Sequence, residues 1–244
     1  MKIGLEYIKY TWNTKVRKGI PSPFLRDFYK NCLSIPLDSN SRAELKQLFT
    51  RLKSDQRILK IEDFGVGSKR LGSSRKVSTI LKTSSSKGKY GKLLYQLNKH
   101  YKFKNCLELG TSLGVGTTYL SLGDSKTKTT TVEACTNTRE IALENFENKP
   151  NIHSVHLTFE NFLKNHQNDI YDFVYIDGHH DGDALIQYMK MLELFTDANT
   201  IFVLDDIRWS QSMFHAWKEL TINNDFQVVI DLFRAGVLRR SEKL

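Results

Sequence analysis

The chain has 244 residues, 40% of them hydrophobic, enough for one large domain or a domain with an appendage, and no apolar run approaches the roughly 18–20 residues of a membrane span. It carries 36 Lys/Arg against 27 Asp/Glu, unevenly: residues 1–100 hold 22 basic and 7 acidic side chains, residues 101–244 hold 14 and 20. Cys32, Cys106 and Cys135 have neither metal-site nor disulfide-framework spacing and the first ten residues lack a signal-peptide core, so a cytoplasmic, reducing location is expected.

The first 80 residues read as helical and irregular. Pro21 and Pro23 open a helix over about 24–32, with Phe24, Leu25, Phe28 and Cys32 on one face. Ser41 can cap a helix over about 42–53, where Leu45, Leu48, Phe49 and Leu52 fall at helical spacing. Asp63–Arg70 reads as a loop, and 73–86 as a Ser/Lys-rich linker around a short helix near Val77–Lys82. From Lys89 the pattern changes. Tyr90, Leu93, Leu94, Leu97 and Tyr101 form one apolar stripe, predicting a helix over 89–101 that leads into the first strand. Strands are expected near 105–109, 129–134, 153–158, 172–177 and 200–205, and helices near 116–122, 137–147, 160–166, 182–195 and 210–222. That alternation gives a parallel sheet with helices on both faces. Phe226–Phe233 and Gly236–Arg240 flank a short turn and predict a closing antiparallel hairpin.

The most informative stretch is Cys106-Leu-Glu-Leu-Gly-Thr-Ser-Leu-Gly-Val-Gly-Thr-Thr-Tyr119, a short apolar run with an acid, a Gly-rich turn and a helix-like segment. Such a turn lets backbone approach a ligand, and the helix after it points free N–H groups at the same place. The second strand ends at Glu133, where a carboxylate can accept both hydroxyls of a ribose. Two further strands end in Asp177-Gly-His-His180 and in Asp205-Asp206. Ligands of open α/β sheets bind beyond the carboxyl ends of the strands, so Glu108, Glu133, Asp177, Asp205 and Asp206 converge on one edge. Five carboxylates there call for a counter-charge, and a cationic ligand, a divalent metal, or both would serve.

Glu108, Gly110 and Gly114 match the E/D-x-G-x-G-x-G motif of class I S-adenosylmethionine-dependent methyltransferases, with Ser112 where the second glycine would stand. The E-L-G-x-x-x-G variant resembles the catechol and caffeoyl-CoA O-methyltransferase group. The likeness covers roughly residues 84–240, with the motif, the strand-two acid, the Asp-Gly-His end and the Asp-Asp end in the family's order. It implies a Rossmann-like, seven-stranded, mostly parallel sheet with the last strand antiparallel and helices on both faces. Residues 84–244 would be the cofactor-binding domain and residues 1–83 a helical N-terminal lid or dimer element. For S-adenosylmethionine it implies Glu108, Gly110, Ser112 and Gly114 in the loop, Glu133 on the ribose, Glu160 and Asn161 near the adenine, Asp177 beside them, and Tyr90 with Gly91 at the methionine end. It implies a divalent ion on Asp177, Asp205 and Asp206, the last in place of the family's Asn; Mg²⁺ or another oxygen-seeking cation suits such ligands, and the same acids equally suit a metal-free branch. Asp177 and His179 are the catalytic candidates: of the adjacent His179 and His180, one would line the adenine pocket or act as the base, and the family pattern favours His179. Arg208 and Trp209 follow the acid pair, where they could face the acceptor or simply pack.

The leading expectation is therefore an enzyme that methylates a hydroxyl of a small molecule. A nucleic-acid (RNA) methyltransferase using the basic N-terminal region is the second; the sequence lacks Asn-Pro-Pro-Tyr and Pro-Cys motifs, and aromatics do not interleave a basic strand. A non-catalytic cofactor-binding module is the third, because fold does not establish activity.

Overall fold

The order of burial along the central strands explains the architecture. In the computed structural model, which describes residues 23–62, 74–83, 86–165, 169–222 and 226–240, strands β3 (Asn105–Leu109) and β6 (Tyr171–Ile176) are buried almost end to end. Continuous burial marks a parallel sheet covered on both faces. The sheet has seven strands in the order β5-β4-β3-β6-β7-β9-β8, with β4 at Lys128–Val132, β5 at Ile152–Val155, β7 at Thr196–Leu204, β8 at Phe226–Asp231 and β9 at Gly236–Arg240. The first five run parallel. The last strand, β9, inserts between β7 and β8 and is antiparallel to both, as the closing hairpin predicts.

Alternate residues of each strand serve opposite faces. Cys106, Phe173, Tyr175, Ile201 and Val203 belong to one hydrophobic cluster. Their neighbours Leu107, Leu109, Val174, Ile176, Phe202 and Leu204 belong to the other. The first cluster takes in the apolar stripe of α4 (Lys89–Tyr101) and α5 (Val115–Gly123). The second takes in α7 (Phe159–Asn165), α8 (Gly182–Met191) and α9 (Gln211–Ile222). Helix α6 (Thr136–Phe146) links β4 to β5.

The N-terminal elements lie over α4 and extend the first cluster, which runs from Phe28, Cys32, Leu45 and Leu52 to Phe173. Helix α1 (Pro23–Asp27) continues as a π-helical turn over Phe28–Cys32. Helix α2 spans Ser39–Ser54, three residues earlier than its sequence cap suggests, because the carboxylate of Asp38, not Ser41, caps it by accepting the Ser41 N–H (2.8 Å). Polar pins fix this layer to α4: the Tyr95 hydroxyl donates to Asp38, Gln96 donates to the carbonyls of Leu33 and Ile35, and His100 and the Tyr101 hydroxyl meet Asp27.

Other departures from the sequence pattern are local. A two-stranded ladder pairs β1 (Ile58–Lys60) with β2 (Ser74–Lys76), just before α3 (Val77–Thr83). Three-residue strands have no legible period, and β2 occupies the start of the segment expected as a linker over 73–86. The helix expected to run to 195 ends at Met191, a 3₁₀ turn covers Leu192–Phe195, and β7 starts at Thr196. Trp12 and the Asp63–Arg70 loop lie outside the described residues. Among the described residues no helix is long and apolar enough to cross a membrane.

Phe173 is fully buried between the faces and stacks on Phe103 at 4.7 Å. Phe173→Ala should lower unfolding stability by about 3–5 kcal/mol, whereas Leu194→Ala, at a 75% exposed position, should change it by less than about 0.5 kcal/mol. Urea denaturation of both variants checks this; equal effects would contradict the assigned core.

Candidate functional site

The parallel ladder brings the acids together. Backbone bonds carry pairing one residue past each strand: Gly110 N–H to the Val132 carbonyl, Glu133 N–H to Val155, Asp177 N–H to Leu109, and Asp205 N–H to Ile176. Glu133, Asp177 and Asp205 therefore stand in line just beyond the sheet, with Asp206 next to them. Glu108 lies within β3, opposite Thr131 and Tyr175.

The Gly-rich turn is shaped by contact across this edge. Gly110 has φ +112°, and a Cβ there would run into the Asp177 carbonyl, so the turns after β3 and β6 touch. A Cβ on Gly116 would lie 2.6 Å from Glu108 Oε1. Gly114, at φ +76°, is the N-cap of α5. Four non-glycine residues of the edge also have positive φ: Ser112 (+49°), His179 (+64°), His180 (+35°) and Asp206 (+51°). Such conformations cost energy and gather at ligand sites.

Each acid is compensated differently. Glu133 Oε2 accepts the Ser112 N–H (2.8 Å) and Oε1 the Cys135 N–H (2.9 Å), so this carboxylate clamps the turn. Burial still raises its pKa, against the pull of those amides. Glu108 is 1% exposed. Its Oε2 accepts the hydroxyls of Thr117 and Thr131, while Oε1 is buried without a partner among the described residues. Burial pushes its carboxyl up to about 8, although the two threonines pull the other way. Asp177 Oδ2 accepts the Ser86 hydroxyl (2.9 Å) and the Tyr175 hydroxyl (2.8 Å). Burial and the neighbouring Asp205 charge raise its pKa, and burial does the same for Asp206.

Asp205 is 2% exposed and the most heavily bonded. Oδ1 accepts from Arg234 Nε (2.8 Å) and the Asp206 N–H (2.8 Å); Oδ2 accepts from Arg234 Nη2 (2.6 Å) and lies 3.1 Å and 3.2 Å from the Ser86 and Tyr175 hydroxyls, whose single protons are shared with Asp177. Arg234 Nε also lies 3.0 Å from Asp206 Oδ1. A carboxylate offers about four lone-pair positions; the guanidinium and the Asp206 amide take three of those on Asp205, and the fourth faces the two shared hydroxyls. The oxygen-only set Asp177, Asp205 and Asp206 does not fit a divalent ion in this arrangement. Asp177, His180 and Asp206 can bring one ligand atom each within 4.8 Å of one another, but Asp206 is shared with the guanidinium.

The remaining expected residues fall in three places. His180 Nε2 lies 3.9 Å from both Asp177 Oδ1 and Asp206 Oδ2, with the half-exposed Trp209 ring 6.0 Å away. His179, the expected base, turns aside and its Nδ1 meets the Tyr188 hydroxyl (2.5 Å). Tyr90 lies beside the edge, its ring 5.2 Å from the Arg234 guanidinium. Glu160 and Asn161 sit exposed in the first turn of α7, with Glu160 paired to Lys164 (2.6 Å) and the Asn161 N–H bonded to Thr158 Oγ1. Arg208 packs away from the edge, bound to Asp231 and the Phe233 carbonyl. Sequence reasoning missed Ser86, Tyr175 and Arg234, and it did not foresee that His180, rather than His179, lies between Asp177 and Asp206. Ser86 looks like linker, Tyr175 like core and Arg234 like an ordinary turn residue; only the adjacency of His180 to His179 hinted at an exchange.

The cleft over this edge is lined by Ser86, Glu108, Gly110, Ser112, Gly116 and Asp177 among others. An unpartnered buried carboxyl oxygen, glycine-permitted backbone approach and an excess of acids suit a cationic nucleoside such as S-adenosylmethionine. A larger cleft of about 310 Å³ opens at the opposite, amino end of the strands, beside Lys128, Asn151 and His153. It gathers none of these acids, and ligands of such sheets bind at the carboxyl end.

Comparison with known proteins agrees with this geometry. Residues 107–207 match the family described as a methyltransferase domain. No curated protein matches the chain in sequence. Among solved structures, an O-methyltransferase from Bacillus cereus in complex with SAH is 18% identical, with 88% of this chain and 96% of that one covered at a TM-score of 0.60. An SAH-bound methyltransferase from Podospora anserina is 15% identical, with 85% and 98% covered at 0.59. A SAM-bound O-methyltransferase from Streptomyces achromogenes, involved in tomaymycin synthesis, is 14% identical, with 66% and 82% covered at 0.56. At these identities the likeness is one of fold. The fold is that of the class I methyltransferases, and the resemblance to their catechol and caffeoyl-CoA group read from the motifs is borne out.

The raised Glu108 pKa has a thermodynamic consequence. Between the ordinary carboxylate value of 4.5 and about 8 the folded chain keeps a proton that the unfolded chain releases. Stability from this group is thus full below pH 4.5 and declines as pH rises toward 8, with a slope of at most about 1.4 kcal/mol per pH unit. Glu108→Gln should flatten the decline between pH 5 and 8 in urea titrations of the ligand-free protein. Parallel profiles for the two proteins would show Glu108 ionised throughout.

Proposed function

We propose that this chain is an S-adenosylmethionine-dependent methyltransferase acting on a hydroxyl group of a small molecule. The alignment of Glu108, Glu133 and Asp177 around the Gly110–Gly114 turn supports it above all, because that edge suits a ribose and a neighbouring positive charge. S-adenosylmethionine, when bound, supplies a methyl group made electrophilic by its sulfonium. The chain's residues must hold donor and acceptor in line, where proximity accounts for much of the acceleration.

In this reading Glu133 accepts the ribose hydroxyls with the lone pairs that its amide bonds leave free. Glu160 and Asn161, at the start of α7, contact the adenine. Tyr90 borders the methionine end. Asp177 and Asp206 flank His180, which takes the acceptor's proton on Nε2. His179, held by Tyr188, fixes the turn that presents its neighbour. The exposed face of Trp209 borders the acceptor's entrance, and the described N-terminal elements, packed over α4, serve as its lid.

Calorimetry with S-adenosylmethionine and with NAD tests the cofactor assignment; saturable binding of NAD alone would reject it. Glu133→Gln should weaken S-adenosylhomocysteine binding at least about tenfold, since a good hydrogen bond to a charged group contributes about 1.5–3 kcal/mol. With labelled donor and a panel of phenols and alcohols, His180→Ala should lower kcat by about 10²–10⁴. His179→Ala should lower it far less; the reverse order would return the base to His179.

A further inference from the structure

The hairpin turn between β8 and β9 delivers a cation to the acid edge. Arg234 lies there, far in sequence from β7, and grips Asp205 with two parallel bonds (Nε to Oδ1, 2.8 Å; Nη2 to Oδ2, 2.6 Å). The same Nε reaches Asp206 Oδ1 at 3.0 Å. Its guanidinium carbon lies 5.2 Å from the Tyr90 ring, a cation–π contact that holds it from the side of α4. The planar fork matches a carboxylate in a way that no point charge does, and a guanidinium keeps its proton at any physiological pH.

The Asp206 amide adds a third donor to Asp205, and the Ser86 and Tyr175 hydroxyls, shared with Asp177, lie against its Oδ2. Three fixed donors and two shared hydroxyls crowd this carboxylate, with the guanidinium fork taking one lone pair on each oxygen. A divalent ion coordinated by Asp205 would have to expel the guanidinium and the two hydroxyls. One coordinated by Asp177, His180 and Asp206 instead would share Asp206 with a positive charge already 3.0 Å from it.

We propose that Arg234 is the resident cation of this edge, standing in the place of a divalent metal, so that the acid cradle is neutralised and positioned by the chain itself. The consequence for turnover rests on the methyltransferase reading; the metal-binding behaviour does not. Arg234 acts here as a positioning residue. It fixes Asp205 and Asp206, and through Asp206 one flank of His180. With no metal to lower the pKa of the acceptor hydroxyl, proton removal falls to His180.

The test is a Mn²⁺ titration followed by electron paramagnetic resonance, with a thermal melt and an S-adenosylhomocysteine titration on each protein. Wild type should show no saturable Mn²⁺ binding up to about 1 mM, the range of weak protein sites, and a chelator should leave its melting midpoint unchanged. Arg234→Gln should lower the midpoint by about 5 °C or more, because an acid pair loses its partner. It should also gain saturable Mn²⁺ binding that restores the midpoint. Arg234→Lys keeps the charge and should gain none; with wild type it decides the matter if the Gln variant does not fold. Stoichiometric Mn²⁺ binding by wild type, or no gain in Arg234→Gln relative to wild type, would overturn the proposal. Absence of S-adenosylhomocysteine binding would instead defeat the methyltransferase reading and leave the Mn²⁺ result standing.

Discussion

Crowding of like charges at the carboxyl ends of parallel strands governs this edge of the molecule. The ladder that pairs β3, β4, β6 and β7 leaves no choice about where the acids go, because each follows its strand in register. A buried carboxylate is unfavourable unless it is protonated, hydrogen-bonded or paired. The chain uses all three remedies within one site. Glu108 is driven toward its neutral form and held by threonine hydroxyls. Glu133 is bonded by backbone amides of the turn it clamps. Asp205 is paired with Arg234.

The compensating groups tie the site to the rest of the fold. Ser86 enters from just ahead of α4, Tyr175 from the strand interior and Arg234 from the last hairpin. The N-terminal layer shares its hydrophobic cluster with the face of the sheet that carries Tyr175. Part of the basic excess of the first 100 residues is met by the second half, where Arg57 makes a two-bond pair with Glu144 of α6; in the opposite sense, Glu44 of α2 pairs with Lys149 just beyond that helix. Exposed pairs of this kind contribute about 0–1 kcal/mol each, so burial of Phe28, Leu45, Leu48 and Leu52 holds the layer in place.

The sheet was legible because β3, β6 and β7 carry apolar runs with acids at or beside their ends, β4 is β-branched and leads into Glu133, and the helices carry stripes at a period of 3.6 residues. Hydrophobic periodicity is a local signal, and both clusters obey it. The β1–β2 ladder was not legible, since three-residue strands have no period. The start of α2 was misplaced because two residues able to cap, Asp38 and Ser41, stand three apart, and only backbone geometry selects between them.

By itself, the sequence determined where the strands end, and therefore that Glu133, Asp177, Asp205 and Asp206 share one edge around a glycine turn, with Glu108 in the strand that leads into it. That follows from strand period and from the geometry of parallel sheets. Tertiary structure decided how the charge is met. It directed His179 to Tyr188 and left His180 between Asp177 and Asp206, a difference of side-chain direction that two adjacent histidines cannot signal. It also brought Arg234 onto Asp205 and Asp206, because β9 inserts beside β7 and carries the preceding turn to the tip of that strand. Pairing between segments so far apart in the chain has no local signature, and it exists only once the sheet has closed.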